Sequence, residues 1–108
     1  MQSDYKLSFL PIFFEDLYEA IYYIKDVKKN PDAAERLSHS IEEAILRRLP
    51  IAESFESYQS KVARRSVYYR IYVDNYIVFY TVLEDDFGGK TMEVRRLIYK
   101  RRNMEKLI

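Results

Sequence analysis

Residues 76–83 constrain the fold more than any other segment, because they are apolar at nearly every position. They follow the turn-forming pair Asp74-Asn75. In the segment before that pair, Val67, Tyr69, Ile71 and Val73 alternate with Tyr68, Arg70 and Tyr72, which is the period of a strand. A short continuous apolar run next to a turn is typical of a strand that is covered on both faces. The sequence therefore predicts a β-hairpin whose second arm lies in the middle of a sheet.

The amino-terminal half of the chain predicts a strand followed by two helices. Residues 5–9 are apolar at every second position, which is the period of a strand with one buried face. Pro11 suits a first helical position, and Asn30-Pro31 forms a second start signal, whereas Leu10 is a poor capping residue. Apolar residues at helical spacing are Phe13, Leu17, Ala20, Ile21 and Ile24 in the first helix and Ala34, Leu37, Ile41, Ala44, Ile45 and Leu49 in the second.

Pro50 ends the second helix because it lacks an amide hydrogen, and the short connection predicts an antiparallel helical hairpin. Residues 51–65 are mixed and show no sustained period, so we interpret them as a loop. After a turn over residues 84–90 a further strand is expected, and residues 103–108 are expected to form a last helical turn. The predicted fold is α+β: one strand, a two-helix antiparallel hairpin, then a three-stranded antiparallel meander. With 108 residues it suits one domain spanning residues 1–108.

The composition excludes several kinds of site. The chain has no cysteine, which removes disulfides, a thiol nucleophile and cysteine-containing zinc sites. No apolar stretch approaches the roughly 20 residues that cross a bilayer, and the amino terminus is polar, so we expect a cytoplasmic protein without membrane association. The adjacent Asp85 and Asp86 lack the spacing of a calcium site and indicate a solvated turn. We expect neither a metal nor a cofactor.

Positive charge is concentrated at the carboxy-terminal end, although the net charge is only +1. The last fourteen residues contain six basic side chains and one acidic side chain. Such a patch attracts phosphate backbones or acidic protein surfaces, and the alternative is an ordinary solvated strand end. The chain also contains 11 tyrosines, whose amphipathic rings suit a contact surface.

Three segments, together with the predicted order of one strand, two helices and three strands, resemble the RelE/ParE family of toxins. The second helix begins Asn-Pro-Asp-Ala-Ala-Glu-Arg-Leu, the hairpin reads Arg-Ile-Tyr-Val-Asp-Asn-Tyr-Ile-Val-Phe-Tyr, and the ending reads Arg-Leu-Ile-Tyr-Lys-Arg-Arg-Asn. The most specific parts are residues 75–80 and 96–103. In the ending, Tyr99, Lys100 and Asn103 stand where many members of the family have histidine, glycine and aspartate.

The resemblance implies the toxin of a type II toxin-antitoxin module, which arrests growth when it is freed from an antitoxin encoded beside it. Such modules are also known as plasmid stabilisation systems. RelE-like members cut messenger RNA on the ribosome without a metal, whereas ParE-like members bind and poison DNA gyrase. The implied partners are therefore a cognate antitoxin and either DNA gyrase or the ribosome with its mRNA. A homodimer or a toxin-antitoxin hetero-oligomer is compatible with both mechanisms.

Metal-free RNA cleavage needs a base, an acid and cations around one phosphate. In the nuclease alternative the catalytic candidates are Arg70, Arg101 and Tyr99, of which the arginines match basic positions of RelE-like members. Ile77, however, replaces a further arginine of that group, and arginine rarely serves as a base. The single histidine, His39, lies among glutamates in the second helix and is expected to be solvated. The sequence therefore favours a ParE-like gyrase inhibitor over a nuclease.

Two contact surfaces are predicted. A target-binding surface at the end of the sheet comprises Tyr72, Arg95, Arg96, Lys100 and Arg102. An antitoxin-binding surface on the first helix comprises Phe14, Tyr18 and Tyr22, with the alternative that these side chains widen the core. The third functional hypothesis is a non-toxic RNA-binding domain that uses the basic sheet edge and exposed tyrosines.

Overall fold

The computed structural model describes residues 5–55, 57–59 and 67–101, which form an α+β fold. An open mixed sheet has the strand order β1-β5-β4-β3-β2, and the helices pack against one face of it. The elements are β1 Tyr5–Phe9, α1 Pro11–Tyr22, a π-helical turn Tyr23–Val27, α2 Pro31–Arg48, a 3-10 turn Leu49–Ile51, β2 Ser57–Gln59, β3 Val67–Val73, β4 Tyr76–Glu84 and β5 Lys90–Tyr99.

Strand β4 lies at the centre of the sheet, as its apolar run predicts. It pairs antiparallel with β3 and with β5, which confirms the three-stranded meander. On the face toward the helices β4 buries Val78 and Tyr80, and on the opposite face it buries Ile77 and Phe79. Strand β1 completes one side by pairing in parallel with β5, which makes the sheet mixed.

Strand β2 was not predicted, since residues 51–65 are interpreted as a loop from the sequence. It has three residues and pairs antiparallel with β3 through the register Ser57↔Tyr69 to Gln59↔Val67. A strand this short leaves no period of two to recognise. It forms at the edge because β3 offers backbone donors and acceptors there, and this information lies outside the segment itself.

The helix boundaries follow the predicted signals. The Asn30 side chain accepts a hydrogen bond from the Ala33 amide at 3.1 Å, whereas Leu10 caps α1 without a side-chain bond. Helix α2 ends at Arg48, two residues before the proline that stops it. Between the helices the chain widens into the π-helical turn, and Lys29 adopts the left-handed region at φ 57°. This position normally favours glycine.

The core lies between the helices and one face of the sheet. The beginning of α1 and the carboxy-terminal half of α2 line the same groove, so the two helices run antiparallel as expected. Phe13, Leu37 and Ile41 are each less than 5% exposed. Core residues supplied by the sheet are Ile71, Val73, Val78, Tyr80, Met92, Val94 and Leu97.

The β4–β5 turn is organised by Asp85. Its Oδ1 accepts hydrogen bonds from the amides of Phe87 and Gly89, both at 2.8 Å, and these bonds hold the pKa of the carboxyl below its usual value. Gly88 adopts φ 83°, and a Cβ on Gly89 would lie 2.6 Å from Asp85 Oδ2. The carboxylate and both glycines therefore have a role in the turn itself.

Within the part of the chain that the structure describes, no helix is both long and apolar enough to cross a membrane. The predicted last helical turn, residues 103–108, and the predicted target-binding residue Arg102 lie outside the described residues.

Candidate functional site

The end of β5 pairs with β4 on one side as far as Tyr76↔Tyr99, and on its other side Asp16 of α1 takes the place of a neighbouring strand. β1 pairs with β5 only as far as Phe9↔Val94. Beyond that point Asp16 Oδ2 accepts a hydrogen bond from the Leu97 amide at 3.0 Å. The same carboxylate binds the Arg96 guanidinium through Nε at 2.7 Å and Nη2 at 3.1 Å. Asp16 therefore ties the first helix to the last described strand.

Arg96, predicted from the sequence as a target-binding residue, does not belong to an exposed patch. Its side chain is 19% exposed and that of Asp16 is 13% exposed. The bidentate geometry satisfies one edge of the guanidinium and neutralises its charge. The sequence could not reveal this pair because its two members are 80 positions apart.

Arg95 lies at an irregularity in the sheet. Phe79 pairs with Arg96 and Tyr80 pairs with Val94, so Arg95 is an extra residue in β5, a β-bulge. Its Nη1 donates to Glu93 Oε1 at 2.7 Å, and its guanidinium carbon lies 5.7 Å from the centre of the Tyr68 ring. Arg95 is about one-third exposed, and its charge is partly neutralised.

The residues that the structure does bring together lie on the sheet face away from the helices. Tyr72 is 57% exposed, and its ring centre lies 5.9 Å from the guanidinium carbon of Arg70 and 5.7 Å from Nζ of Lys100. The Lys100 amide donates to the Asn75 carbonyl at 2.9 Å, which fixes the end of β5 beside the β3–β4 turn. We call Arg70, Tyr72 and Lys100 the cationic face. Arg101 follows directly and is exposed.

Tyr99 lies on the opposite side of the sheet from the cationic face. Its ring makes an edge contact with Tyr76, at 5.4 Å between ring centres, and Tyr76 packs against the core beneath the helices. Tyr99 also lines a groove shared with α1. The structure therefore does not bring two of the predicted catalytic candidates, Arg70 and Tyr99, to one phosphate-sized site.

The predicted antitoxin-binding residues form one line along α1. Phe14, Tyr18 and Tyr22 are spaced by four, which places them above one another on a helix, and they are 38%, 65% and 61% exposed. The Phe14 ring lies 5.3 Å from the Phe9 ring, so Phe14 also widens the core. We call these three residues the α1 stripe.

A groove flanks each end of the α1 stripe. The first, of about 330 Å³, lies between α1, α2 and β1, and Phe14 and Leu46 are among the residues that line it. The second, of about 350 Å³, lies between α1 with its π-helical turn and the end of β5, and Tyr22 and Tyr99 are among its lining residues. We call the second one the tyrosine groove. Tyr18 is exposed between the two grooves.

A buried polar junction that the sequence did not predict supports β3. Arg48, at the end of α2, donates from Nη1 to the Tyr80 hydroxyl at 2.9 Å and to the Arg70 carbonyl at 3.2 Å. The Tyr80 hydroxyl donates to the Ala52 carbonyl at 2.6 Å, and burial raises the pKa of Tyr80. The Arg48 guanidinium also lies 3.6 Å from the Phe55 ring centre. One sequence signal could have revealed this junction. Tyr80 lies in a strand that is predicted to be covered on both faces, and a buried hydroxyl needs hydrogen-bond partners.

A second polar contact joins the beginnings of β1 and β5. Glu53 accepts hydrogen bonds from Lys90 Nζ and from the Tyr5 hydroxyl, both at 2.7 Å. The ammonium group of Lys90 holds the pKa of Glu53 below its usual value, and the carboxylate raises the pKa values of Lys90 and Tyr5. This contact is remote from the cationic face and serves the fold.

His39 is exposed on α2. Among the described residues no group of three or more histidine, aspartate and glutamate side chains could hold a metal ion. The chain matches no protein-family model, and no curated protein matches it.

Proposed function

We propose that this chain is the toxin of a type II toxin-antitoxin module and that it arrests growth as a ParE-like, non-catalytic inhibitor of DNA gyrase. The α+β fold, with a strand, two helices and a meander, agrees with the fold that the RelE/ParE resemblance implies. The observation that carries the non-catalytic mechanism is the separation of Tyr99 from Arg70 on opposite sides of the sheet.

General acid–base cleavage requires both proton-transfer groups to reach the same phosphate. The described cationic face supplies arginine and lysine, which bind anions well, and one tyrosine between them. Tyr99, the substitute for the family's histidine, is turned toward the helices. An exposed ring between two cations suits recognition of an acidic protein surface or a nucleic-acid backbone without bond cleavage.

The α1 stripe supports the presence of a protein partner, which under this proposal is the antitoxin. Two tyrosines more than 60% exposed and a third aromatic side chain beside them form a continuous apolar surface. Aromatic rings on one helix face are common anchors in protein interfaces. Copurification of the chain with its neighbour-encoded partner, followed by light scattering, distinguishes a hetero-oligomer from a homodimer.

The alternative function, a RelE-like ribosome-dependent mRNA endonuclease, is favoured by one feature of the cationic face. A tyrosine ring flanked by cations is also suited to stacking a base while its phosphates are neutralised. The same feature serves the third hypothesis, a non-toxic RNA-binding domain. These functions differ in which cellular process stops first.

The deciding experiment expresses the chain from a tight promoter in a bacterium and follows labelled thymidine and methionine incorporation over the first minutes. The proposal expects thymidine incorporation to fall first, together with a DNA-damage response. An earlier fall in methionine incorporation would replace it with the nuclease function. Continued growth at a verified level of folded protein would refute the proposal and leave either a degenerate toxin or the non-toxic binding domain.

Variants of the cationic face test the same proposal on the molecule. The double substitution of Arg70 and Lys100 by alanine is expected to abolish growth arrest, because it removes both cations beside Tyr72. Arg47→Ala is the matched control, since Arg47 is exposed on α2. Circular dichroism verifies that both proteins are folded. Full toxicity of the double variant would remove the cationic face from the mechanism.

A further inference from the structure

We propose that the α1 stripe is the interface of a homodimer with twofold symmetry, in which the α1 helices of two copies of this chain cross in antiparallel orientation at Tyr18. Phe14 lies four residues before Tyr18 and Tyr22 lies four residues after it, so aromatic side chains stand at equal distances on either side of the centre. A twofold interface must be complementary to itself, and a stripe with this internal symmetry meets that condition. Residues spaced by four also form the ridges along which helices most often pack.

The groove between α1, α2 and β1, which we call the α1–α2 groove, provides space for an incoming ring. Phe14 and the exposed Leu46 are among the residues that line it, and its volume of about 330 Å³ exceeds that of one aromatic side chain. Antiparallel crossing at Tyr18 places Tyr22 of the second copy over Phe14, at the mouth of this groove. By symmetry each copy inserts one Tyr22 and receives one. Aromatic side chains that fill pockets in this way contribute much of the binding energy of an interface.

The stripe is partly ordered before a second copy arrives. The Phe14 ring centre lies 5.3 Å from that of Phe9 and 6.4 Å from that of Tyr18, so a row of ring contacts runs from β1 onto the exposed face of α1. Rings that are already held by their neighbours lose little conformational freedom on association. The stripe is therefore better prepared for binding than three isolated exposed side chains would be.

Two charges beside the stripe favour antiparallel over parallel helices. Glu15 lies three residues before Tyr18, and Lys25 lies three residues after Tyr22 in the π-helical turn; both are exposed. The ion pairs among the described residues involve neither of them. In an antiparallel pair, Glu15 of one copy lies about one helical turn from Lys25 of the other, within reach of two long side chains. A parallel pair instead brings Glu15 to Glu15 and Lys25 to Lys25, which is unfavourable.

The exposed area of the stripe fits a weak dimer. Taking roughly 200 Å² for one aromatic side chain, the exposed parts of Phe14, Tyr18 and Tyr22 amount to about 300 Å² in each copy. Stable interfaces bury about 800 Å² of each partner, so residues beside the stripe must supply the rest. We therefore expect a dissociation constant on the order of 10 micromolar.

The dimer does not depend on toxicity, although its competition with an antitoxin rests on the proposed function. Under that function the antitoxin and the second copy both require Tyr18 and Tyr22, so the antitoxin must displace one copy to bind. Self-association and growth arrest are measured separately. A dimer without growth arrest would refute the toxin and keep the interface, whereas a monomeric chain that arrests growth would refute the interface alone.

The first test is sedimentation velocity of the full chain between about 1 and about 200 micromolar, a range over which such a dimer changes from mostly dissociated to mostly associated. Tyr18→Glu is expected to weaken dimerisation at least about twentyfold, because it places two carboxylates together at the twofold axis. Tyr72→Glu is the matched control, since Tyr72 is an exposed tyrosine on the opposite side of the sheet, and it is expected to leave dimerisation unchanged. Circular dichroism verifies that both variants are folded.

Charge reversal tests the orientation of the two helices. Glu15→Lys and Lys25→Glu are each expected to weaken dimerisation about fivefold, because each brings like charges together at both ends of the interface. A mixture of these two variants is expected to form a heterodimer with the affinity of the unchanged chain, since every facing pair then has opposite charges. Mixing would not repair a folding defect in either variant, so the gain reports on the interface itself.

Three results would overturn the proposal. One is a single species with the mass of one chain up to about 200 micromolar, where a micromolar dimer is populated. Another is dimerisation of Tyr18→Glu as strong as that of the unchanged chain, which would place the interface elsewhere. The third is a mixture of the charge-reversed variants that associates no more tightly than either variant alone, which would exclude the antiparallel arrangement.

Discussion

Asp16→Ala is expected to lower the free energy of unfolding by about 3 kcal/mol, since the Asp16 carboxylate holds the end of β5. Three hydrogen bonds disappear at once: two from the Arg96 guanidinium and one from the Leu97 amide. Bonds to charged groups contribute roughly 1.5–3 kcal/mol, and breaking a buried ion pair costs roughly 3–5 kcal/mol. The lower part of that range applies, because Arg96 remains 19% exposed and water can solvate it partly.

Two further variants separate the charge from the hydrogen bonds. Asp16→Asn keeps an acceptor for the Leu97 amide but loses the charge, and it is expected to cost about 1.5 kcal/mol. Replacing Arg96 as well as Asp16 by alanine is expected to cost less than the sum of the single substitutions, with a coupling of about 1.5 kcal/mol. Glu15→Ala is the matched control on an exposed position of the same helix.

The measurement is urea unfolding followed by far-ultraviolet circular dichroism, with the slope of free energy against urea compared between variants. A loss below 0.5 kcal/mol for Asp16→Ala, or strict additivity in the double variant, would refute the reasoning. The small loss would mean that water replaces the carboxylate almost without cost. Strict additivity would mean that Arg96 and Asp16 do not stabilise the fold as a pair.

Further predictions concern the buried junction, a strained turn and acid stability. Tyr80→Phe is expected to lower the free energy of unfolding by about 2 kcal/mol, because the Ala52 carbonyl loses its donor, whereas Tyr18→Phe, at an exposed position, should change little in urea unfolding. Lys29→Gly is expected to raise the free energy of unfolding by about 0.5 kcal/mol. The left-handed backbone destabilises a residue with a side chain by roughly 1–2 kcal/mol, and the greater unfolded-state entropy of glycine offsets part of the gain from removing the side chain. A lower melting temperature would contradict this. The folded-state pKa of Glu53 is depressed, so its contribution is present above the usual pKa of 4.5 and is lost as pH falls through the folded value. Glu53→Gln should therefore flatten the acid limb of a plot of melting temperature against pH, and an unchanged limb would exclude Glu53 as its source.

The features that were predictable from the sequence depend on residues that lie close to one another along the chain. Asn30 caps a helix that starts at the next residue, and the apolar run of residues 76–83 shows by itself that its strand is covered on both faces. The short strand β2 was missed because it forms only against β3. The Arg96–Asp16 pair was missed for the same reason, since its partners meet only after the sheet and α1 pack together.

The position of Tyr99 shows how one residue changes a prediction about a whole site. Met92 and Val94 face the helices, so strict alternation would place Tyr99 on the same face as Arg70. The bulge at Arg95 adds one residue, and Leu97 and Tyr99 turn toward the helices instead. A bulge has no reliable sequence signature within a basic segment. The sequence therefore suggested that Tyr99 and Arg70 could reach one phosphate, whereas they lie on opposite faces of the sheet.

The parallel pairing of β1 with β5 also has a consequence for the order in which the protein is made. Tyr5 pairs with Lys90, so the first described strand finds its partner only after the last described strand has left the ribosome. Contacts between such distant residues form slowly, because a long loop must close before they stabilise anything. The surfaces that need β5, the cationic face and the tyrosine groove among them, are therefore complete only after β5 has left the ribosome. A partner that recognises them cannot bind a nascent chain that still lacks β5.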